Sequence, residues 1–243
     1  MITNYSKMLR QPQSQHNVEP VKTPQLRNKK QTLWAGFALI MMLFVSTTFV
    51  AQSSANYTFA TSTTGSMVLD KNGNAVDMTI GTTQLVGGSS DQGTSAVTNI
   101  GFSYAFMGAS YTQFSASANG ILQLGSTAVA GGTYVASGGS AASPRISAYG
   151  ADLQTGSNGK VHYKVVGAFP NRCLVVEYSN MNLFYVSAVY GNDATFQVRL
   201  YESGGLDFVY GTMSISSFAA STKSPSIGFS RGTTDNSFAY VLY

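Results

Sequence analysis

The titratable residues come first, because catalysis needs such groups to converge. Beyond the first fifty residues the chain carries one histidine, His162, and one cysteine, Cys173. His162 lies mid-strand between Val161 and Tyr163, on the face shared with Lys164, and reads as a solvent-facing or hydrogen-bonded strand residue rather than a base. One histidine and a cysteine eleven residues away make no zinc site without carboxylates to complete it. No serine sits in a GxSxG elbow, and local spacing offers no His–Asp pair for a triad. Two carboxylates could hydrolyse a glycoside. Glu177, however, alternates with Val176 and Tyr178 and is expected to face solvent, while Glu202 and Asp207 flank a hairpin turn. Asp152 has no other acid within five residues, which argues against calcium, a cation that takes several oxygens. Asp70, Asn72 and Asn74 have calcium-loop spacing, but Ala75 and Gly81 stand where such a loop needs Gly and Glu. The expectation is therefore no catalytic residue and no cofactor, with Asp152 the weak metal candidate. Cys173, beside Leu174-Val175-Val176, reads as a buried small hydrophobe.

These residues sit on strands. In Ile100 to Gly125, Phe102, Tyr104 and Phe106 alternate, and so do Thr112, Phe114, Ala116 and Ala118. Met107-Gly108-Ala109-Ser110 reads as one turn and Asn119-Gly120 as a second, whose two residues tolerate positive φ. The stretch is expected to be a β-meander with one wet face. Lys71-Asn72-Gly73-Asn74 reads as a hairpin turn, Gly87 to Gly93 as a loop, and Ala128 to Ala142 as a long surface loop of small residues. Val161, Tyr163 and Val165 enter from a turn at Ser157-Asn158-Gly159. Phe196, Val198 and Leu200 face opposite Gln197, Arg199 and Tyr201, and Phe238, Tyr240 and Leu242 alternate to the end. Met181 to Val186 extends a strand or forms an apolar loop. The fold class is all-β: an antiparallel two-sheet sandwich, jelly-roll-like, of about eleven strands over 56–243. Phe102, Phe106, Phe114, Leu122, Val198 and Phe208 are its expected core.

Ahead of it, residues 1–32 are rich in Gln, Asn, Pro and Lys and are expected to be a disordered basic leader. Leu33 to Val50 is an 18-residue apolar run behind Arg27, Lys29 and Lys30. Segment 33–55 is thus a signal peptide or an uncleaved membrane anchor, either of which exports the remainder of the chain. Ser53-Ser54-Ala55 places cleavage before Asn56, with a second choice near Ala51, and Met8 is an alternative start. The formal charge of +4 belongs to this leader. Eight basic and nine acidic residues lie beyond the apolar run, which excludes a nucleic-acid partner. Any membrane contact would run through the N-terminal segment.

The order IGFSYAFMGASYTQFSASANGILQLG, ISAYGADL (Ile146 to Leu153), GKVHY (Gly159 to Tyr163), Pro170-Asn171-Arg172, ATFQVRLYE (Ala194 to Glu202), Phe208 to Gly211 and Ser226 to Phe229 resembles nidogen-like extracellular domains. It resembles still more the related module of large secreted proteins of Bacteroidetes-type bacteria. Where relatives carry a Trp followed by paired acids, this chain has Tyr149, Gly150, Ala151 and then Asp152 alone. The resemblance implies an exported, non-enzymatic binding, adhesion or structural module with a surface protein or a glycan as partner. A carbohydrate-binding or carbohydrate-active sandwich is the alternative. Larger relatives end in a sorting domain that this chain does not show, so periplasm, anchor and cell surface all stay open.

Overall fold

The computed structural model describes residues 57–183, 193–213 and 225–232, and the backbone of 236–240. The leader, the apolar run, its cleavage site, Phe184 to Val186 and Leu242 lie outside these residues. The described strands are β1 (Thr83–Val86), β2 (Thr98–Phe106), β3 (Ala109–Ala116), β4 (Ile121–Leu124), β5 (Arg145–Gly150), β6 (Gln154–Val166), β7 (Cys173–Asn182), β8 (Ala194–Tyr201), β9 (Leu206–Tyr210), β10 (Ser226–Ser230) and β11 (Asn236–Tyr240). They form two antiparallel sheets, β1-β6-β7-β8-β9 and β11-β10-β5-β4-β3-β2. Sequence neighbours pair within a sheet as meanders. The chain changes sheet only after β1, β5 and β9, whereas a jelly roll changes sheet at most of its connections, and the jelly-roll expectation is corrected on this point.

The period-two pattern works as expected in β2, where Ile100, Phe102, Tyr104 and Phe106 are buried while Gly101, Ser103 and Ala105 are exposed. The β2–β3 turn is tighter than four residues. Met107 (φ 49°) and Gly108 (φ 76°) make it, and Phe106 already pairs with Ala109. Asn119-Gly120 also differs from expectation. Gly120 alone of the two has positive φ (78°), and Ser117 N–H donates to Ile121 O across a four-residue loop. A Cβ on Gly120 would collide with Tyr149 O, so the residue must be glycine.

The sandwich core joins Phe102, Tyr104, Phe106, Phe114 and Leu122 from one sheet to Val176, Tyr178, Phe196, Val198 and Leu200 from the other, all buried. Rings meet across it: Phe114 lies edge-on to Tyr163 at 5.3 Å, and Tyr149 is 5.9 Å from Phe196. Each such side chain contributes about 1.5–3 kcal/mol by leaving water. Phe208 is the exception among the expected core residues. It is half-buried, because β9 is an edge strand with no neighbour beyond it to close over the ring.

Two excursions cover the outer faces, and although the expected wet meander face holds in β2 and the start of β3, it fails over the end of β3 and β4. Over the six-stranded sheet, residues 126–144 are seated on outward polar side chains. Ser115 Oγ accepts from Val129 N–H, Gln123 Nε2 donates to Thr127 O, and Arg145 Nη1 donates to Ser137 O. Val129 and Ala136 are buried beneath, as are Ser115 and Gln123. Over the five-stranded sheet lies a strap, residues 66–80. Its Lys71–Asn74 turn is the hairpin expected, although a single bridge, Leu69 to Ala75, flanks it. Val76, Met78, Val166, Cys173, Val175 and Tyr201 form a second small core between strap and sheet.

Candidate functional site

The strap and the outer face of β6, β7 and β8 enclose the site. Register places His162 opposite Glu177 and Glu177 opposite Gln197, so three polar side chains stand in one row across three strands. His162 Nε2 is 3.0 Å from Glu177 Oε1, and Nδ1 is 3.0 Å from Thr82 Oγ1. A carboxylate only accepts, so Nε2 carries the hydrogen toward Glu177, and Nδ1 shares a hydrogen bond with the Thr82 hydroxyl. Gln197 Nε2 donates to Glu177 Oε2 at 2.7 Å, and Gln197 Oε1 accepts from Arg199 Nε and Nη2 at 2.8 and 2.6 Å. Arg199 ends the row by donating to three strap carbonyls: Leu69 at 2.7 Å, Ser66 at 2.7 Å and Met67 at 3.1 Å.

Exposure is 1% for His162, 8% for Glu177, 1% for Gln197 and 2% for Arg199. Glu177 therefore does not point to solvent. The strap covers it, and its two oxygens accept from His162 and Gln197. His162 is the hydrogen-bonded strand residue expected. Two further ties fix the strap: Lys164 Nζ donates to Asp77 O and Ile80 O, and Lys71 N–H donates to Tyr201 Oη.

Thr82, His162 and Glu177 reproduce the hydroxyl–imidazole–carboxylate order of a nucleophilic triad, which sequence spacing did not reveal. The imidazole is closed between hydroxyl and carboxylate. Beside it runs an open groove of about 710 Å³ between the strap (Met67, Val68, Ala75–Thr79) and Asn158, Lys160, Ser179 and Asn180, with His162 and Glu177 at its floor. Thr82 is outside the groove's lining, and among the described residues so is every Phe and Tyr ring. The arrangement can hold a polar ligand against a rigid floor.

The other sequence candidates lie apart from this row. Asp152 is half-buried in the bend between β5 and β6. Asn119 grips that bend on both sides, accepting from Ala151 N–H on its carbonyl and from Leu153 N–H on its side-chain oxygen. Arg172 pairs with Glu202, donating from Nε at 2.8 Å and Nη2 at 2.5 Å; Nη1 donates to Gly101 O in the facing sheet. That guanidinium holds the Glu202 carboxyl below the usual range. Among the described residues no three of His, Cys, Asp and Glu stand close enough to share a metal ion. In the Lys71–Asn74 turn, Asp70 spends its carboxylate on Asn72 N–H, Asn74 N–H and the Asn74 side-chain amide. Cys173 is buried as expected, and burial pushes its thiol up to about 12.

Sequence reasoning missed Gln197 and Arg199. The signal was present, since Val166, Cys173 and Val175 are apolar residues on the same outward face, and a strand apolar on both faces is covered on both. Among the comparisons with known proteins, residues 56–242 match the family model described as NIDO related. Neither the curated proteins nor the solved structures contain a match.

Proposed function

Because this chain belongs to the NIDO-related family, we propose that it is an exported, non-enzymatic module that binds or adheres at the cell surface or in the periplasm. Domains of this kind are typical of extracellular proteins, and the basic flank with its 18-residue apolar run supplies the export signal. The observation that carries the reading is the closed polar row. Its histidine, carboxylate, amide and guanidinium are committed to one another and to strap carbonyls, which fits a scaffold better than a reaction centre. The groove above that floor is the contact site, and its partner is a protein segment or other polar ligand rather than a sugar held by ring stacking.

Exposed rings favour a second reading, a carbohydrate module. Phe169 is 77% exposed, and Tyr134 and Tyr210 are 37% and 41% exposed. A panel of surface proteins, peptides and glycans, read both for retention and for hydrolysis, separates the two. Retention of protein or peptide ligands that is lost on Lys160→Glu supports the groove. Glycan retention unaffected by Lys160→Glu, or any glycan hydrolysis, overturns it.

A further inference from the structure

The described chain holds three Asn–Gly steps: Asn72–Gly73, Asn119–Gly120 and Asn158–Gly159. Such steps are chemically labile, because glycine has no Cβ to keep its backbone nitrogen from the preceding carboxamide. The glycine nitrogen attacks the asparagine Cγ and a new C–N bond forms. The bond to the side-chain nitrogen breaks, and ammonia leaves with the glycine's amide hydrogen. Water then opens the resulting succinimide at either carbonyl, giving aspartate or isoaspartate. Water is the sole co-reactant.

We propose that Asn158 is a self-modification site of the folded protein, and that Asn72 and Asn119 are protected by their surroundings. Asn119 is fully buried, its Nδ2 donates to Gly131 O at 2.6 Å, and its Oδ1 accepts from Leu153 N–H at 2.9 Å. Its carboxamide cannot rotate toward Gly120. At Asn72 the attacking group is tied, since Gly73 N–H donates to Asp70 O at 3.0 Å. Asn72 N–H donates to Asp70 Oδ1, and its Nδ2 donates to Asn171 O.

Asn158 differs from both in its side chain. It is exposed, and among the described residues its carboxamide has no hydrogen-bond partner. It sits where the β6–β7 ladder slips, between the pairs Thr155–Met181 and Lys160–Ser179. The fold also keeps the labile step in place, because a Cβ on Gly159 would lie 2.5 Å from Asn180 O. The product adds a carboxylate to the groove wall beside Lys160 and opposite Asp77. Any effect on a ligand rests on the groove reading, whereas the conversion itself does not.

The test is peptide mapping that distinguishes Asp from isoAsp, after incubating the chain from Asn56 onward, native and urea-unfolded, at mildly alkaline pH. All three steps should convert in the unfolded chain. In the native chain residue 158 should convert while 72 and 119 remain amides, and Asn158→Ser should abolish the native mass gain. Native Asn158 that stays an amide while the unfolded chain converts, or native Asn72 converting ahead of it, overturns the proposal.

Discussion

At Glu177 one carboxylate serves two buried donors and balances a buried guanidinium through Gln197. Glu177→Ala leaves an imidazole N–H and an amide N–H without acceptors and the Arg199 charge without its relay. It should cost about 3–5 kcal/mol in urea unfolding, the range for breaking a buried ionic network. Glu177→Gln keeps the shape but turns an NH₂ toward one of the two donors, and should cost about 1–3 kcal/mol. Equal small losses in both variants would mean that the row does not close. Cys173 gives a pH-dependent counterpart. Burial first, and Asp70 second, raise its thiol from an ordinary 9.0 to about 12. The native state thus favours the neutral thiol, and ionisation favours the unfolded chain. This contribution is complete below pH 9 and is lost as pH climbs from about 9 to about 12. Urea titrations across that window should show a decline that Cys173→Ala lessens. The remainder comes from Tyr104, Tyr178 and Tyr201, whose hydroxyls burial also raises. Alkylation near pH 8.5 should label the thiol only in unfolded chain.

The strap is held differently from a strand. Its hydrogen bonds to the sheet run mostly from side chains of the sheet to its own backbone: Arg199 to three carbonyls, Lys164 to two, and Tyr201 to Lys71 N–H, with Lys71 Nζ over the Tyr201 ring and near Asp207 adding charge contacts. Arg199→Met should therefore loosen one element while leaving the ladder intact. In hydrogen exchange the Asp70 and Val76 amides, which bond within the strap, should lose protection while Val176 and Val198 keep theirs. Uniform loss over both would show that strap and sheet open together. The same manner of attachment explains what the sequence hid. Alternation in β2, β6 and β8 is a local property and was legible, as were the turns after Phe106 and at Lys71–Asn74, whereas the turn expected at Ser157-Asn158-Gly159 is a slip in the ladder inside β6. Alternation sorts residues onto two faces without saying what lies over the second. Glu177 read as wet because its strand pattern is the same whether water or a strap covers it. The covers have no period of their own: residues 126–144 are mostly small, and Ser66 to Ile80 mixes apolar and polar residues without a face. The row across His162, Glu177 and Gln197 depends on register between strands distant in sequence, which no local pattern encodes.

One apolar cluster spans both sheets, so the domain should unfold as a unit, and Phe114→Ala should lower its whole stability by about 3–5 kcal/mol in a single transition. Among the described residues, Tyr57 is the first that packs on this cluster. That ring packs 5.7 Å from Phe106 and 5.1 Å from Phe229, and its hydroxyl oxygen accepts from Met107 N–H at 3.1 Å. It thereby joins β2, at one edge of the six-stranded sheet, to β10 near the other. Residues 58–64, in contrast, are exposed. This bears on where an export peptidase can cut. Cleavage before Asn56, at the small residues Ser53-Ser54-Ala55, preserves the Tyr57 anchor. The exported protein should accordingly have the intact mass of a chain starting at Asn56. Trimming to Thr58, or Tyr57→Ala, should cost about 2 kcal/mol, combining one hydrogen bond with two ring contacts. A mature mass retaining Met1 would favour a membrane anchor. A chain starting at Thr58 with undiminished stability would mean that the ring only rests on the core, and that the domain's edge lies further along, at the strap.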